Sequence, residues 1–194
     1  MTILLFADHD NVSVKSTTFS TMAAAAIIAT LGTHDIHVLV AGHNAEGAAE
    51  AAASIAGVSK VLLADARQLE TGLAENVAAT VLKVVQDPAK EYSHILAPAT
   101  DYGKNIAPRI AAKLDVAQIS NITAVDSADT FERPIRAGSA IATVQSIDPI
   151  KVITVCAAAF DPVAAAGGGA AIEKIAQRAL PAAADDGSMP EDCQ

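Results

Sequence analysis

The sequence predicts a three-layer α/β sandwich with a mainly parallel sheet, followed by an antiparallel β section. Residues 1–115 alternate between short apolar runs and longer helical patterns, as successive β-α units do. The short runs are apolar at nearly every position, as strands of a sheet covered on both faces must be. Hydrophobic residues make up 52% of the chain but aromatic residues only 3%, so the core must consist of small aliphatic side chains, which let helices lie close to a sheet.

Four β-α units follow one another along the chain. The predicted strands are Thr2–Ala7, Ile36–Ala41, Lys60–Ala64 and His94–Ala97, and the predicted helices are Thr17–Leu31, Asn44–Ile55, Gly72–Gln86 and Asp101–Leu114. In such a fold, ligands bind in the crevice at the carboxyl ends of the strands. The segments expected at that crevice are Asp8–Asp10, Gly42–Asn44, Asp65–Arg67 and Pro98–Gly103.

Helical periodicity stops at Asp115. Gln118–Val125 alternates as a strand does, and Asp148–Pro149 is a turn signal, because proline fixes φ and ends strand pairing. We expect Ile141–Gln145 and Val152–Val155 to form an antiparallel pair on either side of this turn. The α/β domain is therefore predicted to cover residues 1–161.

Residues 162–194 are predicted to form a flexible linker or tail. Gly167–Gly169 is a flexible triplet, and Ala170–Leu180 has the composition of a short helix. Pro181–Gln194 is acidic and almost free of large apolar side chains, a composition typical of disorder.

Composition and charge exclude several classes of function. A net charge of −9 argues against nucleic-acid binding, which normally uses a basic face. No apolar run reaches the roughly 18 residues that a membrane span needs, so membrane insertion is not expected. Two cysteines provide no disulfide framework, and the start of the chain resembles neither a secretory signal nor a transit peptide. We expect a cytoplasmic, bacterial protein, or a mitochondrial matrix protein only if a transit peptide has been removed.

No catalytic or metal site is predicted. His34 and His37 are close in sequence but lack a third ligand at metal spacing. His9 follows the first strand and faces the crevice, where a polar loop or the remnant of a nucleotide site is favoured over acid–base catalysis. Cys156 lies in an apolar run without an adjacent base, a setting typical of a buried structural thiol.

The start of the fourth helix is a weak candidate for binding an anion or a nucleotide. Thr100 or Asp101 can cap this helix, and the free amides up to Gly103 and Lys104 can hold a negative group. Asp101 opposes this by its own charge, so a structural or interface role is the favoured alternative.

A series of motifs begins in the same segment and continues to residue 161. They are Ala97–Thr100, Gly103–Lys104, Ala107–Ala111, Leu114–Val116, Phe131–Ile135, Ala137–Ala140 and Val152–Asp161. In order and spacing this series resembles the alpha subunit of electron transfer flavoprotein, with a looser match over the amino-terminal half. Three positions depart from the family pattern: tyrosine is usual where Arg136 stands, asparagine where Ser139 stands and arginine where Cys156 stands. Relative to the family pattern, one positive charge is thus lost at Cys156 in one predicted strand, and another is gained at Arg136 in a neighbouring strand.

The resemblance implies an adenine nucleotide alpha hydrolase-like fold and a role in electron transfer. In the family this domain comes first in the alpha subunit and a FAD-binding domain second, while AMP is bound by the beta subunit. The first domain packs against the beta subunit in a heterodimer and supports the mobile flavin domain, so that FAD can accept electrons from acyl-CoA or other dehydrogenases. The resemblance therefore implies a scaffold of an electron carrier, not an enzyme, with no FAD contact expected in this chain.

Two other functions are compatible with this type of α/β fold. One is a free-standing adenine nucleotide-binding module of the universal-stress-protein type, which would purify with bound AMP or ATP. The other is a hydrolase or transferase that uses the crevice, although the sequence offers no nucleophile–base pair for it.

Overall fold

The computed structural model describes residues 1–32 and 35–175. Its first part alternates strands and helices: β1 (Thr2–Phe6), α1 (Ser16–Gly32), β2 (Asp35–Gly42), α2 (Glu46–Ala53), β3 (Lys60–Asp65), α3 (Ala74–Val85), β4 (Tyr92–Pro98) and α4 (Asp101–Leu114). Six further strands follow: β5 (Gln118–Ile122), β6 (Ala124–Val125), β7 (Thr130–Ile135), β8 (Ala140–Gln145), β9 (Lys151–Val155) and β10 (Ala171–Lys174). The four predicted β-α units are confirmed.

The strands form two separate sheets. A seven-stranded sheet has the order β10-β3-β2-β1-β4-β9-β5, and all its pairs are parallel. A three-stranded antiparallel sheet has the order β6-β7-β8. The chain builds the large sheet outward from β1 to β3 and then returns to the other side of β1 with β4. The carboxyl ends of β1 and β4 therefore flank a topological switch point, where ligands of such folds bind.

Helices cover both faces of the large sheet, which gives the predicted three layers. Neighbouring side chains of β1 point to opposite faces: Ile3 and Leu5 pack with α1 and α2, while Leu4 and Phe6 pack with α3 and α4. All four of these side chains are at most 1% exposed. The continuous apolar runs in the sequence follow directly from this burial on two faces. None of the described helices has both the length and the apolar character needed to cross a membrane.

The expected pairing of Ile141–Gln145 with Val152–Val155 is wrong. β8 instead pairs with β7 in the small sheet, and β9 lies between β4 and β5 in the large sheet, parallel to both. The physical reason is burial. Val152, Ile153 and Val155 are fully buried, whereas every second residue of β8 is exposed. A run that is buried on both faces belongs inside a parallel sheet, and a run with every second residue exposed belongs in a sheet with one open face.

Phe131 fastens the small sheet to the rest of the molecule. Its side chain lies on β7, is 0% exposed and joins the core on the α1 and α2 side of the large sheet. Partly buried Val125 of β6 packs against the same core. The small sheet is therefore part of the domain and presents its remaining surface outward.

The short helix expected at Ala170–Leu180 is wrong for Ala171–Lys174, which form β10 at the edge of the large sheet beside β3. The rest of that expected helix, and Pro181–Gln194, lie outside the described residues. Only two aliphatic residues occur in this strand, so its sequence carries little strand signal. The domain boundary at 161 stays a prediction, as does the flexible tail after it.

Candidate functional site

The carboxyl ends of β1, β2 and β4 surround a polar crevice at the switch point. One part, of about 220 Å³, lies between the loop after β1 and residues 69–72. A second part, of about 410 Å³, lies between the starts of α1 and α4. Asp8, Lys15 and Tyr102 line both parts. The segments after these three strands, Asp8–Asp10, Gly42–Asn44 and Pro98–Gly103, thus meet at this edge, as the sequence predicts.

Asp8 joins three elements at the centre of the crevice. One oxygen of its carboxylate lies 2.8 Å from Lys15 Nζ, and the other accepts a hydrogen bond from Thr100 Oγ1 at 2.9 Å. The Thr18 hydroxyl accepts from the Asp8 amide at 3.0 Å and donates to the Asp8 carbonyl oxygen at 3.1 Å. The Asp8 side chain is only 5% exposed, and a buried carboxylate needs such partners. Asp8 therefore ties the end of β1 to the starts of α1 and α4.

His9 supports the loop after β1. Its Nδ1 accepts a hydrogen bond from the Asn11 amide at 3.1 Å, which leaves the ring proton on Nε2. Burial lowers the pKa of His9 below its usual value, so the ring is neutral at neutral pH. Asp10 accepts from the amides of Val12 and Ser13 in the same loop. This arrangement matches the predicted polar loop.

The four anion-site candidates at the start of α4 have different environments in the structure. Thr100 is the N-cap, and its hydroxyl accepts from the Gly103 amide at 3.4 Å while donating to Asp8. Asp101 and Lys104 are exposed. An anion at this helix start would lie close to the Asp8 carboxylate, which already accepts the hydrogen bond from the Thr100 hydroxyl. Binding of an anion or nucleotide here stays a prediction.

Gly103 and Tyr102 have packing roles in this geometry. A Cβ atom at Gly103 would overlap the carbonyl oxygen of Pro98, so glycine allows the helix to start directly against the end of β4. Tyr102 packs edge-on against Phe6, with ring centroids 6.2 Å apart. Burial, and then the negative charge of Asp8, raise the pKa of the Tyr102 phenol. The sequence placed Tyr102 at the crevice only as part of Pro98–Gly103 and did not indicate Lys15, because no local pattern shows that both converge on Asp8.

An apolar edge forms a second candidate site, away from the crevice. Three isoleucines on or beside β7 and β8 are exposed: Ile135 to 38%, Ile141 to 65% and Ile147 to 95%. No described strand pairs with the outer edge of β8, and β8 carries no charged residue. Unpaired backbone groups beside exposed apolar side chains are typical of a surface that another chain covers.

The three departures from the family pattern lie in two places. Arg136 and Ser139 are at the tip of the β7–β8 hairpin, where the Ser139 hydroxyl donates to the Arg136 carbonyl oxygen at 2.9 Å. Cys156 follows β9, and its amide donates to the Ile122 carbonyl oxygen at 3.0 Å. The expectation that the two charge changes fall in neighbouring strands is wrong, because the hairpin and β9 belong to different sheets.

The remaining candidates for chemistry are dispersed. Within residues 1–32 and 35–175, no three His, Cys, Asp or Glu side chains converge as a possible metal site. His37 Nδ1 lies 2.9 Å from the Tyr92 hydroxyl at the opposite end of the sheet from the crevice, and His34 lies outside the described residues. Cys156 is half-buried and free, less buried than the sequence predicts.

That this chain makes no contact with FAD stays a prediction. Within the crevice, the buried Asp8 carboxylate, paired with Lys15, lies at the starts of both helices, where it would weaken their attraction for a pyrophosphate. The aromatic side chain in the crevice, Tyr102, is packed edge-on against Phe6 and is not free to stack on a flavin ring.

Comparisons with known proteins agree with the motifs. The family model described as "Electron transfer flavoprotein domain" matches residues 3–180. The chain is 54% identical over 175 residues to the electron transfer flavoprotein subunit alpha of Pseudomonas aeruginosa, covering 90% of this chain and 54% of that protein. It is 48% identical over 181 residues to the subunit of the same name from Bradyrhizobium diazoefficiens, covering 93% of this chain and 55% of that protein.

A eukaryotic relative gives the same result. The mitochondrial electron transfer flavoprotein subunit alpha of Dictyostelium discoideum is 42% identical over 183 residues, covering 93% of this chain and 51% of that protein. The chain thus spans about half the length of the curated relatives it matches, and the matches cover their amino-terminal region. They favour this family over a free-standing nucleotide-binding module. The chain belongs to the electron transfer flavoprotein family, with its similarity to the alpha subunits.

Proposed function

We propose that this chain is the scaffold domain of an electron transfer flavoprotein alpha subunit, which pairs with a beta subunit as a heterodimer. In that complex it supports FAD-mediated electron transfer from acyl-CoA or other dehydrogenases. We propose that it acts as part of an electron carrier and not as an enzyme, and that Lys15 and Thr100, the side-chain partners of Asp8 in the crevice, have a structural role. The proposed setting is the bacterial cytoplasm, or the mitochondrial matrix if a transit peptide has been removed.

The apolar edge of the small sheet is the observation that carries this proposal. Among the described strands none pairs with the outer edge of β8, and Ile141 on this strand is 65% exposed. A free-standing module would normally protect such an edge with charges or cover it. An exposed edge fastened to the core by buried Phe131 is suited to a partner that packs against it.

The test is association with a beta-type subunit. We expect the two purified chains to form a one-to-one complex in sedimentation velocity. Ile141→Asp places a charge in the proposed contact and should weaken binding by about tenfold or more, which corresponds to roughly 1.4 kcal/mol. Leu73→Asp is the matched control, because Leu73 is 54% exposed but lies at the start of α3, away from the small sheet. No complex, or equal binding by both variants, would refute the proposal.

The proposed roles of the cofactors follow from the same division of labour. FAD belongs to the second domain of the complete alpha subunit and AMP to the beta subunit. Purified alone, this chain should be colourless after incubation with excess FAD and desalting. A flavin band retained at one per chain would show that this domain carries the cofactor. Bound AMP or ATP at one per chain would point instead to the crevice as a nucleotide site.

A further inference from the structure

The last described part of the chain returns to the large sheet as an edge strand. After Phe160 the backbone passes over the α1 and α2 side, where the Val163 amide donates to the Phe19 carbonyl oxygen at 3.3 Å. It then crosses the end of α2 and enters β10. Residues 168–175 are called the strap here, and they are attached to the domain in two different ways.

The first attachment of the strap is a backbone anchor. The Gly168 amide donates to the Ser54 carbonyl oxygen at 2.9 Å, and the Ala170 amide donates to the Ala53 carbonyl oxygen at 3.1 Å. A Cβ atom at Gly168 would overlap the carbonyl oxygen of Ile55. The backbone thus rests directly on the end of α2 and satisfies carbonyl groups that a helix end leaves open.

The second attachment, at β10, combines parallel backbone pairing with β3, continued by the Ile175 amide that donates to the Leu63 carbonyl oxygen at 2.9 Å, with a set of ion pairs. The Glu173 carboxylate lies 2.9 Å from Lys60 Nζ and 3.6 Å from Lys90 Nζ, and Lys174 pairs with Glu46. The side chains in these pairs are 22–70% exposed. The hydrogen bond from Lys60, and then the charge of Lys90, lower the pKa of Glu173. Ion pairs this exposed are individually weak and are screened by salt.

Apolar contacts add little to β10 itself, and the main apolar contact of the segment is made after the strand, by partly buried Ile175 against the core on the α3 and α4 side. None of the four side chains of β10 is buried, and Ile172 is 39% exposed. By contrast, four of the five residues of β1 are buried. A strand that has few buried apolar contacts, and whose outer edge is paired with no other described strand, belongs to the part of a fold that opens locally at low cost.

We propose that the strap is a salt-sensitive latch. β10 separates from β3 while the anchor at Gly168 stays in place and the rest of the domain remains folded. Closed, the latch holds Ile175 at the edge of the sheet, where its amide donates to the Leu63 carbonyl oxygen at 2.9 Å. Open, it frees residues 171–175, which add about 17 Å of reach at roughly 3.4 Å per residue. The latch would therefore set how far the backbone at Ile175 can lie from the rest of this domain.

Hydrogen exchange of the full chain, followed by mass spectrometry, tests the latch without any partner. Glu173→Gln removes the pairs with Lys60 and Lys90, and Glu46→Gln removes the pair with Lys174. Each should speed exchange of residues 171–175 by about two- to fivefold, as expected for loss of exposed ion pairs. Raising NaCl from about 0.05 M to about 0.5 M should have the same effect on the unmodified chain and a smaller effect on the variants.

Glu75→Gln is the matched control. It removes an ion pair of similar exposure, 3.0 Å from Arg109, which joins α3 to α4 and does not touch the strap. This variant should leave exchange of residues 171–175 unchanged. The proposal is overturned if that segment exchanges as slowly as β1 in every variant, or if the strap and β1 accelerate together, because the strand would then open only with the whole fold.

Discussion

Thr100→Val should destabilise the domain by removing one hydroxyl that makes two contacts. The Thr100 hydroxyl donates to the Asp8 carboxylate at 2.9 Å and caps α4 by accepting from the Gly103 amide at 3.4 Å. A hydrogen bond to a charged group contributes about 1.5–3 kcal/mol, and loss of a helix cap costs about 0.5–2 kcal/mol. The cap bond is long and Thr100 is half-buried, so we expect a total near the lower end, about 2 kcal/mol.

Urea unfolding and thermal melting measure this loss. For a chain of this size, about 2 kcal/mol corresponds to a decrease in Tm of about 4–8 °C. Thr100→Ser keeps the hydroxyl and should retain most of the stability. A double-mutant cycle with Asp8→Asn should show coupling of about 1 kcal/mol or more, because the two side chains share one hydrogen bond. Equal stability of the Ser and Val variants, or a loss below about 0.5 kcal/mol for Val, would refute the role of Asp8 as a link between strands and helices.

Three further outcomes follow from burial and close contact. Gly103→Ala should lower the free energy of unfolding in urea by about 1–3 kcal/mol, because the added Cβ would overlap the Pro98 carbonyl oxygen. Gly169→Ala, which has open space around its Cβ, should lower it far less. Phe131→Ala should lower the free energy of unfolding by about 3–5 kcal/mol. It should also speed hydrogen exchange in the small sheet before global unfolding, and unchanged exchange there would contradict the anchoring role of Phe131. Burial raises the pKa of Tyr92 from 10.0 to about 12. The stability that this phenol contributes is therefore present below pH 10 and is lost as pH rises towards 12. An absorbance titration of the folded protein with a midpoint at the usual tyrosine value would contradict this.

The sequence was most informative for strands that are buried on both faces. Strands β1 to β4 are apolar at nearly every position because helices cover both faces, and this pattern predicts both the strands and their parallel order. The same rule, applied to Lys151–Val155, would have placed β9 in the large sheet. The Asp148–Pro149 turn pointed instead to a hairpin, since a turn signal shows where the chain reverses but not which strand it next pairs with.

The sequence predicted the position of the candidate site but not the contacts between its side chains. The crevice follows from strand order alone, and Asp8 and Thr100 were both expected there. That the Asp8 carboxylate lies at the start of α4 depends on two segments 92 residues apart, which no local pattern reveals. β10 was missed for a related reason: its four residues are held by backbone pairing with β3 and by side-chain charges on β3 and α2, and they have no apolar pattern of their own.

The small antiparallel sheet also solves a problem of chain connection. β5 and β9 are adjacent and parallel, so a tight turn cannot join them, and parallel neighbours are normally bridged by a helix. Here β6, β7 and β8 form that bridge. The element that presents Ile141 outward is therefore the same one that lets the last central strand enter the sheet. Its exposed surface can change by substitution, but the element cannot be shortened to a turn without losing β9. The requirements of folding thus retain the small sheet and its β8 edge, but they do not by themselves require apolar side chains there.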